Sequence, residues 1–133
     1  MVSSKEVASF PLIESIKILK EKNIPIALGS ASKNARLILE ILDLIGLFDA
    51  IVDGNDVSTA KPDPEVFLLA AEKLGMRPEE CIVIEDAQAG IEAANKADMI
   101  SIGIGDANVL HEADFMLNNT SELTIDFVQE LIA

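Results

Sequence analysis

Cysteine is the first scarcity. Cys81 is the sole thiol in the chain, so the framework is not disulfide-based and a reducing cytoplasm is the expected setting. It sits in the apolar run CIVI and reads as a small core residue. Positive charge is scarce as well: 10 basic against 23 acidic residues leave a formal net charge of −13. Such a balance repels nucleic acid and anionic membrane alike, and neither is an expected partner. An anionic ligand must then be captured by a local cluster of donors rather than by the global field, and the acidic excess reads most simply as solubility. Long hydrophobic runs are also missing. The longest candidate, LILEILDLIGLF, is broken by Glu40 and Asp43 and falls short of the ~20 residues a spanning helix needs. No basic n-region opens the sequence, so no export signal is expected. Internal repeats, low-complexity tracts and linkers are absent from the pattern.

What remains is 133 residues, 50% of them hydrophobic, enough for one domain with a single core. Leu12, Ile13, Ile16 and Leu19 recur at helical spacing and predict a helix over roughly 10–22, stopped before Asn23-Ile24-Pro25. IPIALGS reads as a buried strand closing on Gly29 and Ser30. Ser32 can then cap a helix whose stripe is Leu37, Ile38, Ile41, Leu42 and Ile45, with Gly46 as its stop. FDAIVD, 48–53, looks like a second short strand followed by the turn-rich GNDVS. In KPDPEVFLLAAEKLG, Asp63 is a good N-cap and Pro64 suits the first helical position. Val66, Phe67, Ala70 and Leu74 form the apolar stripe, and Gly75 ends it. CIVIE follows as a strand, then a helix over about 87–97, MISIGIG and DFML as strands, and a terminal helix carrying Ile125, Val128, Leu131 and Ile132. Strands alternating with helices predict an α/β fold with right-handed crossovers and a mostly parallel sheet covered on both faces. Ligands bind at the carboxyl ends of the strands in such sheets.

CIVIEDAQAG, 81–90, poses the chemical question. Glu85 and Asp86 are adjacent carboxylates at the end of a buried segment, where like charges repel and lose solvation, so something must neutralise them. Hard oxygen ligands with no histidine or cysteine nearby suit Mg²⁺, which takes one or two carboxylates and fills its other positions with water and substrate phosphate. The structural alternative is one carboxylate capping the next helix and the other solvated. At a second strand exit, Ser30, Ala31 and Ser32 present hydroxyls and backbone N–H groups beside a helix N-terminus, suited to a phosphate, though a capping serine after a strand is commonplace. Lys61 is a cation placed just before a helix start, at the unfavourable end of the macrodipole. An anion between the two would reverse the sign of that cost; a solvated loop lysine is the other reading. His111 reads as a surface residue and Asp106 as a turn or cap.

Ser, Lys and Glu-Asp on successive loops bring a family into view. GSASKN, AKPDP and IEDAQAGI resemble the second, third and fourth motifs of the haloacid dehalogenase superfamily, in particular its β-phosphoglucomutase-like branch. The intervals, 31 residues from Ser30 to Lys61 and 24 from Lys61 to Glu85, look like that branch too. The resemblance implies a Rossmann-like core, dependence on Mg²⁺ and a phosphorylated sugar as substrate. By it, Ser30, the Ala31 amide and Lys61 would hold the transferring phosphoryl group, with Ser30 and Lys61 in catalytic roles. Ser32, Lys33 and Asn34 match positions that meet the second phosphate of a bis-phosphorylated sugar, which tilts the choice toward the mutase. Glu85 and Asp86 would help bind the metal.

One departure is severe. The family's first motif, Asp-x-Asp, whose first carboxylate attacks the phosphoryl group, does not occur in these residues, and neither does the helical cap that precedes the second motif. The chain looks like one partial core domain over 1–133, with 1–9 as the return from the missing cap, 10–133 as the core, and the central strand absent. A central strand burying ~3 aliphatic side chains at ~1.5–3 kcal/mol each, with ladder bonds at ~1 kcal/mol each, rivals a domain's whole stability of ~5–15 kcal/mol. The two bare edges are therefore expected to close on each other, or to be filled by a second copy or by a complementing N-terminal polypeptide. The expected function is a β-phosphoglucomutase-like phosphotransferase, inactive alone. A sugar-phosphate phosphatase and a non-catalytic assembly module are the alternatives.

Overall fold

A computed structural model describes residues 10–30, 32–119 and 122–132. Residues 1–9, read above as a return segment, and Ala31 lie outside the described residues. Helix α1 spans Phe10–Glu21, strand β1 Ala27–Gly29, α2 Ala35–Ile41, β2 Ala50–Val52 and α3 Glu65–Leu74. They are followed by β3 at Ile82–Glu85, α4 at Gln88–Lys96, β4 at Ile100–Ile104, β5 at Phe115–Leu117 and α5 at Ile125–Ile132. The stop signals act as the sequence implies. Asn23 takes a φ of 61° after α1, a left-handed conformation asparagine tolerates, and Gly75 caps α3 with a φ of 68°. Cys81 packs in the core, whereas the N-cap of α3 is Pro64 rather than Asp63, whose Oδ1 accepts the Glu65 N–H at 2.9 Å and closes a turn ahead of the helix.

All strand pairs are parallel. β1 pairs with β2, Leu28 opposite Ile51; β3 pairs with β4, Ile84 opposite Ile102; β4 pairs with β5, Gly103 opposite Met116. The sheet thus comes in two parts, β1-β2 and β3-β4-β5, and among the described residues no ladder joins β1 to β3. Both parts nevertheless feed the same two core layers, because successive strand side chains point to opposite faces. Leu28, Ile84, Ile102 and Leu117 gather with Ile16 of α1, Leu39 of α2 and Leu123 on one face. Ala27, Val52 and Val83 gather with Val66 and Phe67 of α3 and Ala93 and Ala94 of α4 on the other. Helices therefore cover both faces, as expected. No helix among the described residues is long and apolar enough to cross a membrane.

Three local expectations are corrected. Helix α2 buries Ala35 and Leu39, not the stripe read from the sequence. Leu37, Ile38, Ile41 and Leu42 are 56%, 48%, 74% and 48% exposed. The reason is visible in ARLILEI: aliphatic residues fill nearly every position, so periodicity does not single out the buried stripe. The helix also stops at Ile41, with Leu42 as C-cap and Asp43 at a φ of 56°, before a 3-10 turn over Ile45–Leu47. Ser32 is not the N-cap. That position is Asn34, without a side-chain cap bond, while Ser32 Oγ accepts the Asn34 N–H at 3.1 Å and so closes a turn ahead of the helix. A pair of truncations separates the two faces. Leu39→Ala should cost about 2–5 kcal/mol in urea denaturation, and Ile41→Ala should stay within about 0.5 kcal/mol of the parent.

Candidate phosphate and metal site

Parallel strands bring their carboxyl ends to one rim. Ser30 leaves β1 there, Asp53 leaves β2, and Glu85-Asp86 leave β3, while Lys61 stands in the loop ahead of α3. The lysine and the acidic pair meet directly: Lys61 Nζ donates to Glu85 Oε2 at 2.8 Å, with side chains 14% and 2% exposed. The other carboxylate oxygen, Oε1, accepts the backbone N–H of Asp86 at 3.1 Å and of Ala87 at 3.3 Å. A lysine of the same chain places its positive charge against Glu85, and this carboxylate is one anion beside Lys61. Burial pushes the Glu85 carboxyl above the usual carboxylate range, with the Lys61 ammonium pulling it part of the way back. The ammonium also lies 5.0 Å from the centroid of the Phe67 ring, close enough for a cation–π contribution.

Gly90 makes this arrangement possible. A Cβ at that position would stand 2.1 Å from the Glu85 carboxyl carbon, so the carboxylate occupies the space a side chain would take. The sequence reading passed over Gly90, although a glycine inside a helix costs about 1 kcal/mol against alanine and hints at a close approach.

Ser30 is buried at 1% exposure. Its Oγ accepts the Ser32 N–H at 3.1 Å, leaving the hydroxyl proton to donate outward. Ser30, Lys33, Gly54, Ser58 and Lys61 line one cavity of about 310 Å³. The structure therefore brings Ser30, Lys33 and Lys61 to a common space beside Glu85. Ser32 and Asn34 lie in the turn leading to α2, and the Ala31 amide falls outside the described residues. Asp106 serves a turn, accepting the Asn108 N–H at 2.8 Å, and His111 is exposed.

The fit to Mg²⁺ holds in kind and falls short in number. Asp86, half-buried at the end of β3, offers the hard oxygen this ion prefers. Both Glu85 oxygens accept hydrogen bonds from protein groups. Among the described residues, no group of three or more His, Cys, Asp or Glu side chains gathers to hold an ion.

Three residues missed in the sequence brace this rim. Arg36 of α2 donates to Asp53 at 2.5 Å, to Asp56 at 3.0 Å and to the Ile51 carbonyl at 2.8 Å. Arg36 lies 17 residues from Asp53 and 15 from Ile51, too far along the chain to leave a local signal.

A parallel α/β fold, with its sheet in two parts among the described residues, thus gathers a serine, a lysine and an acidic pair at one rim. Residues 8–98 match the haloacid dehalogenase-like hydrolase family, and the chain belongs to it. The chain is 44% identical to the β-phosphoglucomutase of Bacillus subtilis over 112 residues, covering 84% of this chain and 50% of that one. It is 37% identical to the fructose-1-phosphate phosphatase of Escherichia coli, covering 74% of this chain and 53% of that one. A β-phosphoglucomutase crystal structure from Clostridium difficile superposes with a TM-score of 0.86 at 40% identity, covering 90% of this chain and 54% of that one. The chain spans about half the length of these relatives.

Two outcomes test the site. Gly90→Ala forces the Glu85 carboxylate out of its seat, so a loss of about 1–3 kcal/mol and shifted Asp86 and Ala87 amide resonances are expected; an unshifted spectrum would contradict the packing. The Asp56 carboxyl is held below its ordinary value of 3.8, chiefly by the Asp53 backbone N–H and then by Arg36. The unfolded chain therefore binds more protons in that acid range, and the stabilisation is present above the ordinary value and lost as pH falls through the folded one. Asp56→Asn should flatten the acid limb of a stability-against-pH curve.

Proposed function

We propose that this chain provides the phosphate-holding and part of the metal-holding machinery of a sugar-phosphate phosphotransferase of the β-phosphoglucomutase type. One observation carries the reading: Lys61 and Glu85 are in contact at 2.8 Å beside a cavity that Ser30 also lines. In this reading Ser30 and Lys61 bind the phosphoryl group, donating hydrogen bonds to oxygens on which charge gathers in transfer. Glu85 acts as the counter-charge that orients Lys61, and Glu85 and Asp86 help hold the metal. Mg²⁺, when bound there, would supply further positive charge against the phosphate. Ser32, Lys33 and Asn34 meet a second phosphate and favour the mutase over hydrolysis, in line with the 44% identity to a β-phosphoglucomutase. The cytoplasm is the setting we assign, on the single cysteine.

The nucleophile is not assigned to any residue of this sequence, which contains no Asp-x-Asp. The β1 and β3 edges, which no ladder joins among the described residues, support a strand supplied by a complementing polypeptide or by a second copy. Purified chain alone should neither isomerise glucose 1-phosphate nor release phosphate from it. Addition of a polypeptide carrying an Asp-x-Asp strand and a helical cap should restore activity, and Lys61→Ala should lower it by about 10²–10³-fold. Phosphate release without isomerisation would move the assignment to a phosphatase. Robust isomerisation by the chain alone, abolished by Lys61→Ala, would refute complementation. A biological effect that survives Asp86→Asn would point to a non-catalytic module.

A further inference from the structure

Asp53 is 1% exposed, and the proposed function does not use it. Its carboxylate accepts from Arg36 through Oδ2 and from the Asn55 N–H through Oδ1 at 2.9 Å. Asp56 in turn takes the Asp53 N–H at 2.9 Å and the other arm of Arg36 at 3.0 Å. A single guanidinium in the first turn of α2 thus clamps the exit of β2 through both carboxylates and the Ile51 carbonyl. The clamped loop is sewn to the exit of β1 by a second seam. The Gly54 N–H donates to the Ser32 carbonyl at 3.0 Å, and Asn55 Nδ2 donates to the Lys33 carbonyl at 3.0 Å. The residues this seam fixes, Lys33 and Gly54, line the same cavity as Ser30 and Lys61. Only a planar fork with several donors reaches this set of acceptors at once; a lysine ammonium is a point charge on a flexible stem.

We propose that Arg36 is a positioning residue, which through Asp53, Asp56 and Asn55 sets Lys33 at a fixed separation from Ser30 and Lys61. The cavity then discriminates ligands carrying two linked anionic groups from those carrying one. This rests on the reading of Ser30 and Lys61 as a phosphate site, and the test keeps the two ideas apart.

Calorimetric titration of the full chain with inorganic phosphate and with pyrophosphate reads each point separately. Arg36→Gln should weaken pyrophosphate about tenfold and leave orthophosphate unchanged. Arg36→Lys should not restore the loss, because charge without the fork does not hold both carboxylates. Should Arg36→Gln fail to fold by circular dichroism, Asn55→Ala cuts the seam to Lys33 without touching the buried Asp53 and should show the same selective loss. Equal weakening of both ligands, no weakening of either, or rescue by lysine would overturn the proposal. Orthophosphate binding that Lys61→Ala leaves intact would instead overturn the phosphate site itself.

Discussion

The buried contact between Lys61 and Glu85 is the constraint on which the rest of the rim depends. Either charge alone in this position would carry a desolvation cost of several kcal/mol. Together, and with the Asp86 and Ala87 amides on the second oxygen, they leave both carboxylate oxygens satisfied. The contact spans 24 residues, so it ties the end of β3 to the loop ahead of α3. It also requires the bare Cα of Gly90 on one side and the Phe67 ring on the other. A core residue and a helix glycine thereby become part of the surroundings of this contact.

Around that contact the rim is braced by polar groups in two further places. Arg36 holds the β2 exit, and the Glu65 carboxylate accepts the Ser58 and Thr59 amides at 2.9 and 3.0 Å, fixing the remaining wall of the cavity. The loops are thus held by charge-assisted hydrogen bonds, while the strands beneath them are held by apolar packing. This division matters because the sheet is in two parts. Among the described residues its halves are united by the shared core layers, with Leu28 and Ile84 in one and Ala27 and Val83 in the other, and not by a ladder between β1 and β3.

Legibility in the sequence varied with how local the governing physics is. The helix over Glu65–Leu74 was readable almost to the residue, since Pro64, Asp63 and Gly75 each act on backbone geometry within a turn of themselves. Helix α2 was readable as a helix and misread as to its face. Which stripe of ARLILEI is buried is settled by what packs against Ala35 and Leu39, and the exposed Leu37, Ile38, Ile41 and Leu42 are no less apolar. Ser30, Lys61, Glu85 and Asp86 were legible as candidates because strand exits of a parallel sheet share a rim. Their partners were legible only in part. The contact of Glu85 with Lys61, across 24 residues, is one that adjacency in sequence does not reveal.

From the chain alone came the alternation of strands and helices, the order of the polar loops and the want of an Asp-x-Asp pair, because each is a matter of residue type and spacing. Folding alone decided which carboxylate meets Lys61, which helix face is wet, and that Arg36 reaches across from α2 to Asp53. Those outcomes depend on distances between segments far apart along the backbone, and such distances are set by how two faces of side chains pack against one split sheet.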